Sequence, residues 1–170
     1  MNGHPGGEAH TRRMLALAGL EPGASVLDMG AGTGEAVRLL LSLGYDAKGL
    51  DLSPRGGAVA QGDFLRMPYT GESFDAVLSQ CAFFVSGNVP GALREANRVL
   101  KPGGKLLLSD VFFEAPEPLL NAAGFEALTL EDMTDVWRAY YLEALWREDT
   151  PCCDIPCGKC RYWLVIARKV

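Results

Sequence analysis

A doubly wound α/β fold with a mostly parallel sheet is what this sequence predicts, and three observations predict it. Short apolar runs alternate with amphipathic segments along most of the chain, the pattern of strands joined by crossover helices. A glycine-rich turn, Gly30-Ala31-Gly32-Thr33-Gly34, stands between a buried apolar run and a helical one. Asp51 ends the next apolar run 23 residues after Asp28, one strand–helix–strand unit further on.

The elements follow in order. Residues 1–13 are rich in Gly and Pro and are expected to be mobile, residues 1–8 above all. His4 and His10 fall in that stretch, are expected to face solvent and receive no role, although His10 would line the pocket if the first helix closed over it. A short helix over 9–20 ends at Glu21-Pro22-Gly23. Residues 25–29 make the first strand, 35–43 a helix stopped by Gly44, and 46–51 the second strand. Short strands over 58–61 and 73–79 come next. A helix over 89–100 places Val89, Leu93, Ala96 and Leu100 on one face, and Lys101-Pro102-Gly103-Gly104 stops it. A strand over 105–111, a two-turn helix over 117–123 and a strand over 125–130 follow. Thr134 reads as an N-cap. Behind it Val136, Trp137, Tyr140, Tyr141, Ala144 and Leu145 form an apolar stripe, read as core rather than lid. Residues 161–169 make a last, antiparallel strand. No repeat or low-complexity linker interrupts the chain, so residues 1–170 are expected to form one domain with a cysteine-rich loop at 150–160.

Composition narrows the partners. The chain of 170 residues carries a net charge of −5 and is 48% hydrophobic. It has no run of Lys and Arg, whereas phosphate backbones call for a basic stripe, so no nucleic acid is expected. No apolar stretch reaches the roughly 18 residues that cross a bilayer, so no membrane partner is expected. The first residues lack the pattern of a secretion signal. The expected compartment is the cytoplasm, where the five cysteines are thiols or metal ligands rather than disulfides.

The glycine spacing selects the ligand. A dinucleotide fingerprint places its third glycine at position 35; here the glycines are 30, 32 and 34, and position 35 is Glu. A negative side chain at that helix start disfavours a pyrophosphate, so a phosphate-free ligand is expected. Asp51, followed by Leu52, can accept hydrogen bonds from both hydroxyls of a ribose. Asp63, in Gly62-Asp63-Phe64, can take an adenine amino group while Phe64 covers the ring.

Together, Asp28-x-Gly30-x-Gly32-x-Gly34, the acid ending strand two, Gly62-Asp63 and Arg98-Val99-Leu100-Lys101-Pro102-Gly103-Gly104 resemble the class I S-adenosylmethionine-dependent methyltransferases, over about residues 9–113. The resemblance implies a Rossmann-like sheet with helices on both faces. It implies that Gly30, Ala31, Gly32 and Gly34 meet the methionine part of S-adenosyl-L-methionine, and that Asp28 anchors its amino end. Asp51 and Leu52 would take the ribose, and Asp63 and Phe64 the adenine. One departure is that only residues 113–124 are available for the full helix that family places between strands five and six.

The acceptor side rests on sulfur. Cys81 follows strand four in Leu78-Ser79-Gln80-Cys81-Ala82-Phe83-Phe84, a segment similar to the arsenite methyltransferases, which use thiolates to hold trivalent arsenic. The alternative is that Cys81 is a small buried apolar residue. Cys152, Cys153, Cys157 and Cys160 lie within nine residues and suit zinc, another soft metal, a thiophilic substrate, a redox dithiol or no ligand at all. This ending is similar to a bacterial clade of small methyltransferases with a C-terminal cysteine cluster. The expected activity is methylation of a small molecule, a thiol or metalloid being the candidates. The alternative is a metal-handling or binding protein that kept the methyltransferase fold.

Overall fold

The computed structural model describes residues 4–146 and 159–170. Seven strands form one sheet in the order β3-β2-β1-β4-β5-β7-β6. Their ranges are β1 Ser25–Met29, β2 Asp46–Asp51, β3 Val59–Gln61, β4 Phe74–Gln80, β5 Leu100–Phe112, β6 Phe125–Asp132 and β7 Arg161–Lys169. β1 to β5 run parallel. β7 lies antiparallel between β5 and β6.

Period-two alternation in the central strands feeds two cores. Leu27, Val77, Leu106, Leu108, Val165 and Ala167 point to one face, where α3 (Val89–Val99) and α4 (Glu117–Ala122) cover them. Val26, Leu78, Leu107, Leu164 and Ile166 point to the other. There α1 (Gly7–Ala18) and α2 (Glu35–Ser42) supply Met14, Leu15, Ala18 and Leu40. Strands buried on both faces need continuous apolar runs, which the sequence shows. The edge strand β6 instead buries only Phe125, its other positions being half-buried or exposed. Its Glu131 pairs with Arg13 at 2.6 Å, and its Glu126 with Arg168.

The structure corrects several expectations. Residues 7–13 belong to α1, and His10 and Thr11 are buried, because Thr11, Met14, Leu15 and Ala18 form the stripe that seats this helix on the sheet. Residues 101–104 do not end a helix in a free turn. They lie within β5, as an irregularity between the Phe74–Leu100 and Ala76–Lys105 pairs. Gly103 supplies the positive φ of 75° there, and Lys101 reaches Asp75 at 2.7 Å. Thr134 is the first residue of α5 (Thr134–Trp146), and Asp132 accepts its backbone N–H at 3.0 Å. Trp137, Tyr141 and Ala144 of the stripe are buried, but Val136 is exposed. Among the described residues no helix is long and apolar enough to cross a membrane.

Candidate functional site

Strand order reverses between β1 and β4, since the chain builds outward to β3 and then returns to the other side of β1. Open α/β sheets bind ligands in the crevice at the carboxyl ends of such strands. A cavity of about 430 Å³ lies there. It is lined by Asp28, Gly30, Ala31, Gly32, Asp51, Leu52, Asp63, Phe64 and Cys81 among others, so nine sequence-selected residues meet in one place. Gly34 does not line it. Gly34 is the left-handed N-cap of α2, with φ 75°, and it turns the chain rather than facing a ligand.

Backbone geometry explains the loop. The N–H groups of Gly30 and Ala31 donate to Leu50 O at 2.9 and 3.1 Å, so β2 fixes where β1 stops. Gly30 has φ 83°, and a Cβ on it would stand 2.2 Å from Ala82 Cβ. Asp51 is braced at both oxygens. Oδ2 accepts from Gly32 N at 2.9 Å and Oδ1 from Ser53 N at 2.8 Å. Asp63 closes a tight turn by accepting from Leu65 N at 2.8 Å, with Phe64 buried beside it and its ring 5.7 Å from that of Phe83.

Asp28 is buried, and burial pushes its carboxyl up to about 7, with Asp51's charge adding to the shift. A raised carboxyl favours the protonated fold. Its contribution is complete below the ordinary carboxylate range and is lost as pH rises through about 7. Asp28→Asn should therefore raise the unliganded protein's stability at pH 8 by about 1–3 kcal/mol. Urea unfolding at pH 8 and pH 4 checks this, with the difference absent at the lower pH.

Across the crevice from Asp51, Cys81 is buried and adopts φ 58°, an uncommon conformation for a residue with a side chain. Its backbone N–H donates to Ser109 O at 2.9 Å, and its Sγ lies 3.3 Å from Tyr162 Oη. Tyr162 Oη donates toward Ser109 Oγ at 3.1 Å. Buried Asp110 holds the following turn by accepting from Phe83 N and Phe84 N at 2.8 and 3.2 Å. Burial raises the Tyr162 hydroxyl well above its ordinary value. Cys160 is buried in the same cluster as Cys81, Val111, Trp137, Tyr141 and Tyr162. Cys152, Cys153 and Cys157 lie outside the described residues. Among those described, no three His, Cys, Asp or Glu side chains converge to hold a metal ion.

Sequence reasoning missed one wall of this cavity. His4 and Gln80 line it together with Glu35, and His10 is 4% exposed rather than solvated. His10 itself does not face the cavity. A polar Gln80 at the end of β4, next to the glycine-loop crevice, was the available signal for this wall, but only the packing of α1 against β5 and β7 brings residue 4 near residue 80.

The methyltransferase domain family matches residues 27–108. An uncharacterised methyltransferase of Geobacillus kaustophilus is 30% identical over 149 residues, covering 76% of this chain and 67% of that protein. The demethylmenaquinone methyltransferase of Tropheryma whipplei is 35% identical over 116 residues, 61% of this chain. The chain spans about half that relative's length, 48%. In structure, the phosphoethanolamine N-methyltransferase 2 of Haemonchus contortus in complex with S-adenosyl-L-methionine superposes with a TM-score of 0.79. It shares 21% identity and covers 98% of this chain and 53% of that one. A 30% identical relative matched over two-thirds of its length, on a sheet whose switch-point crevice carries the glycine loop and the strand-two acid, settles the family: the chain belongs to the class I S-adenosylmethionine-dependent methyltransferases.

Proposed function

We propose that this chain moves a methyl group from S-adenosyl-L-methionine to a small, soft acceptor, a thiol or a trivalent metalloid, seated at Cys81. The residues fit the cofactor. The crevice offers the glycine-lined loop at Gly30, Ala31 and Gly32, acidic acceptors at Asp28, Asp51 and Asp63, and an apolar wall at Phe64. We assign Asp28 to the cofactor's ammonium group, Asp51 and Leu52 to its ribose, and Asp63 and Phe64 to its adenine. Gly30, Ala31 and Gly32 pass along its methionine part. The bound cofactor supplies a sulfonium methyl that an acceptor's lone pair attacks in line, returning the bond's electrons to sulfur. The protein's share is then to position the acceptor and exclude water.

One observation carries the acceptor class. Cys81 stands in the cavity wall in a left-handed backbone conformation, over-determined by the Ser109 hydrogen bond and by the contact of its Sγ with Tyr162. Such strain persists where surrounding structure enforces it, and it clusters at functional sites. Cys160 in the same buried cluster brings the tail's first described sulfur to this side of the site, suiting an acceptor that takes more than one thiolate. The test is transfer of labelled methyl to arsenite and to small thiols by the intact protein. Cys81→Ser is expected to lower the rate about 100-fold with binding of S-adenosylhomocysteine retained. An undiminished rate in that variant would overturn the acceptor reading while leaving the cofactor assignment standing.

A further inference from the structure

Three side chains far apart in sequence close a ring of hydrogen bonds at the edge of the cofactor crevice. His4 Nε2 lies 3.3 Å from Thr11 Oγ1. Thr11 Oγ1 donates to Gln80 Oε1 at 3.1 Å. Gln80 Nε2 lies 3.1 Å from His4 Nδ1. Only one arrangement of hydrogens satisfies all three contacts. The Gln80 amide donates to Nδ1, the Nε2–H donates to Thr11, and the Thr11 hydroxyl is spent on Gln80. The closed ring therefore takes a neutral imidazole protonated at Nε2 alone, at the expense of an Nδ1–H bond to the Pro5 carbonyl 3.2 Å away.

The ring joins three parts of the molecule. His4 belongs to the segment before α1, Thr11 is buried on α1, and Gln80 ends β4 immediately before Cys81. His4 and Gln80 both line the cavity. Gly6 makes the approach possible: it caps α1 at φ 80°, and a Cβ there would meet His10 Cβ at 2.7 Å.

We propose that the ring makes the segment from His4 to Thr11 a working wall of the cofactor pocket, and that the wall is complete only while His4 is neutral, so that proton uptake and cofactor binding oppose one another. The proposal rests on the cofactor assignment made above. A second proton would occupy Nδ1 and turn it from acceptor to donor. The Pro5 carbonyl stands ready to receive it at 3.2 Å. The Gln80 amide would then lose its acceptor in the ring and keep only the Met14 sulfur at 3.7 Å.

The charged neighbours set the direction. Burial lowers the pKa of His4, opposed by its Pro5 contact and by Glu35 on α2. His10 on α1, its ring centroid 6.0 Å from that of His4, is itself held down to about 4, first by burial and then by His4 and Arg13, with Glu131 of β6 opposing. Asp28 of β1 and Cys81 after β4 share the cavity. His4 is thus neutral at pH 8, and the ring opens only on acidification below the ordinary histidine range.

The chain holds two histidines, so imidazole nitrogen resonances can be assigned with a single His4→Gln variant. In the intact protein, nitrogen spectra at pH 8 should show His4 as the Nε2–H tautomer. Its titration should move to lower pH when S-adenosylhomocysteine is added, and Thr11→Val should abolish that movement. Calorimetry at pH 8 should show His4→Ala and Thr11→Val each weakening S-adenosylhomocysteine binding about 5- to 20-fold, with the double variant no worse than either alone. A His4 that titrates identically with and without ligand, or a His4→Ala variant that binds as tightly as the parent, overturns the proposal. A parent protein that fails to bind S-adenosylhomocysteine at pH 8 overturns the cofactor assignment beneath it, a result distinguishable from the other two.

Discussion

Asp51→Ala is expected to weaken S-adenosylhomocysteine binding by at least about 100-fold. Two losses add. A carboxylate that accepts from both ribose hydroxyls contributes two charge-assisted hydrogen bonds, each about 1.5–3 kcal/mol. The same carboxylate orders the empty site, because Gly32 N and Ser53 N both donate to it. Without it the glycine loop and the turn after β2 lose their common brace, and binding must reorder them. Calorimetry gives the affinity, and Asp51→Asn, which keeps one acceptor oxygen, should fall between the parent and the alanine variant. Unchanged affinity in Asp51→Ala would remove Asp51 from the ribose site. The fold should survive, since Asp51 is only partly buried at the open end of its strand.

Gly30→Ala should act on the fold itself, costing roughly 2–5 kcal/mol. The backbone φ of 83° charges any L side chain about 1–2 kcal/mol. The new methyl would also sit 2.2 Å from Ala82 Cβ, far inside van der Waals contact, so one of the two segments must move. Ala82 directly follows Cys81, and the displacement would fall on that wall of the crevice. Urea midpoints measure the cost. Ala82→Gly in the same chain removes the clash and leaves the backbone strain, so it should recover about half of the loss. No recovery would mean that strain, rather than crowding, excludes a side chain at this position.

The contrast between these two residues shows what a sequence can reveal. Asp51's place in the crevice was legible because it ends an apolar run one strand–helix–strand unit after Asp28. The same local signals located Gly30, Asp63 and Cys81. Gly34 was legible as a glycine but not in its task, since only the fold shows it capping α2 while the cavity passes it by. Residues 101–104 carry strong turn residues and do bend the chain, but as an irregularity inside β5, between the Phe74–Leu100 pair and the pairs that resume at Lys105. His4 and Asp110 were illegible for a deeper reason. Their partners, Gln80 and the amides of Phe83 and Phe84, lie far along the chain, and nothing within a window of a few residues announces them. Cys160 stands between the two cases: sequence marks it as one of a cluster, and packing alone sets it beside Tyr162 and Cys81.

The placement of β7 between β5 and β6 has a consequence for how the protein is made. Among the described residues β6 pairs with β7 alone, so on a growing chain that strand leaves the ribosome with no neighbour to receive it. Its companion β7 follows some thirty residues later, and this side of the sheet can close only after synthesis has passed residue 169. Until then β5 shows an open edge of Leu106, Leu107 and Leu108, residues that are fully buried once β7 docks. Long-range strand pairing of this kind is slow and exposes unpaired edges to other chains. The acidic edge of β6, with Glu126 and Glu131, is then a safeguard for the interval as well as for the finished molecule, since charged edge strands resist joining a neighbour's sheet.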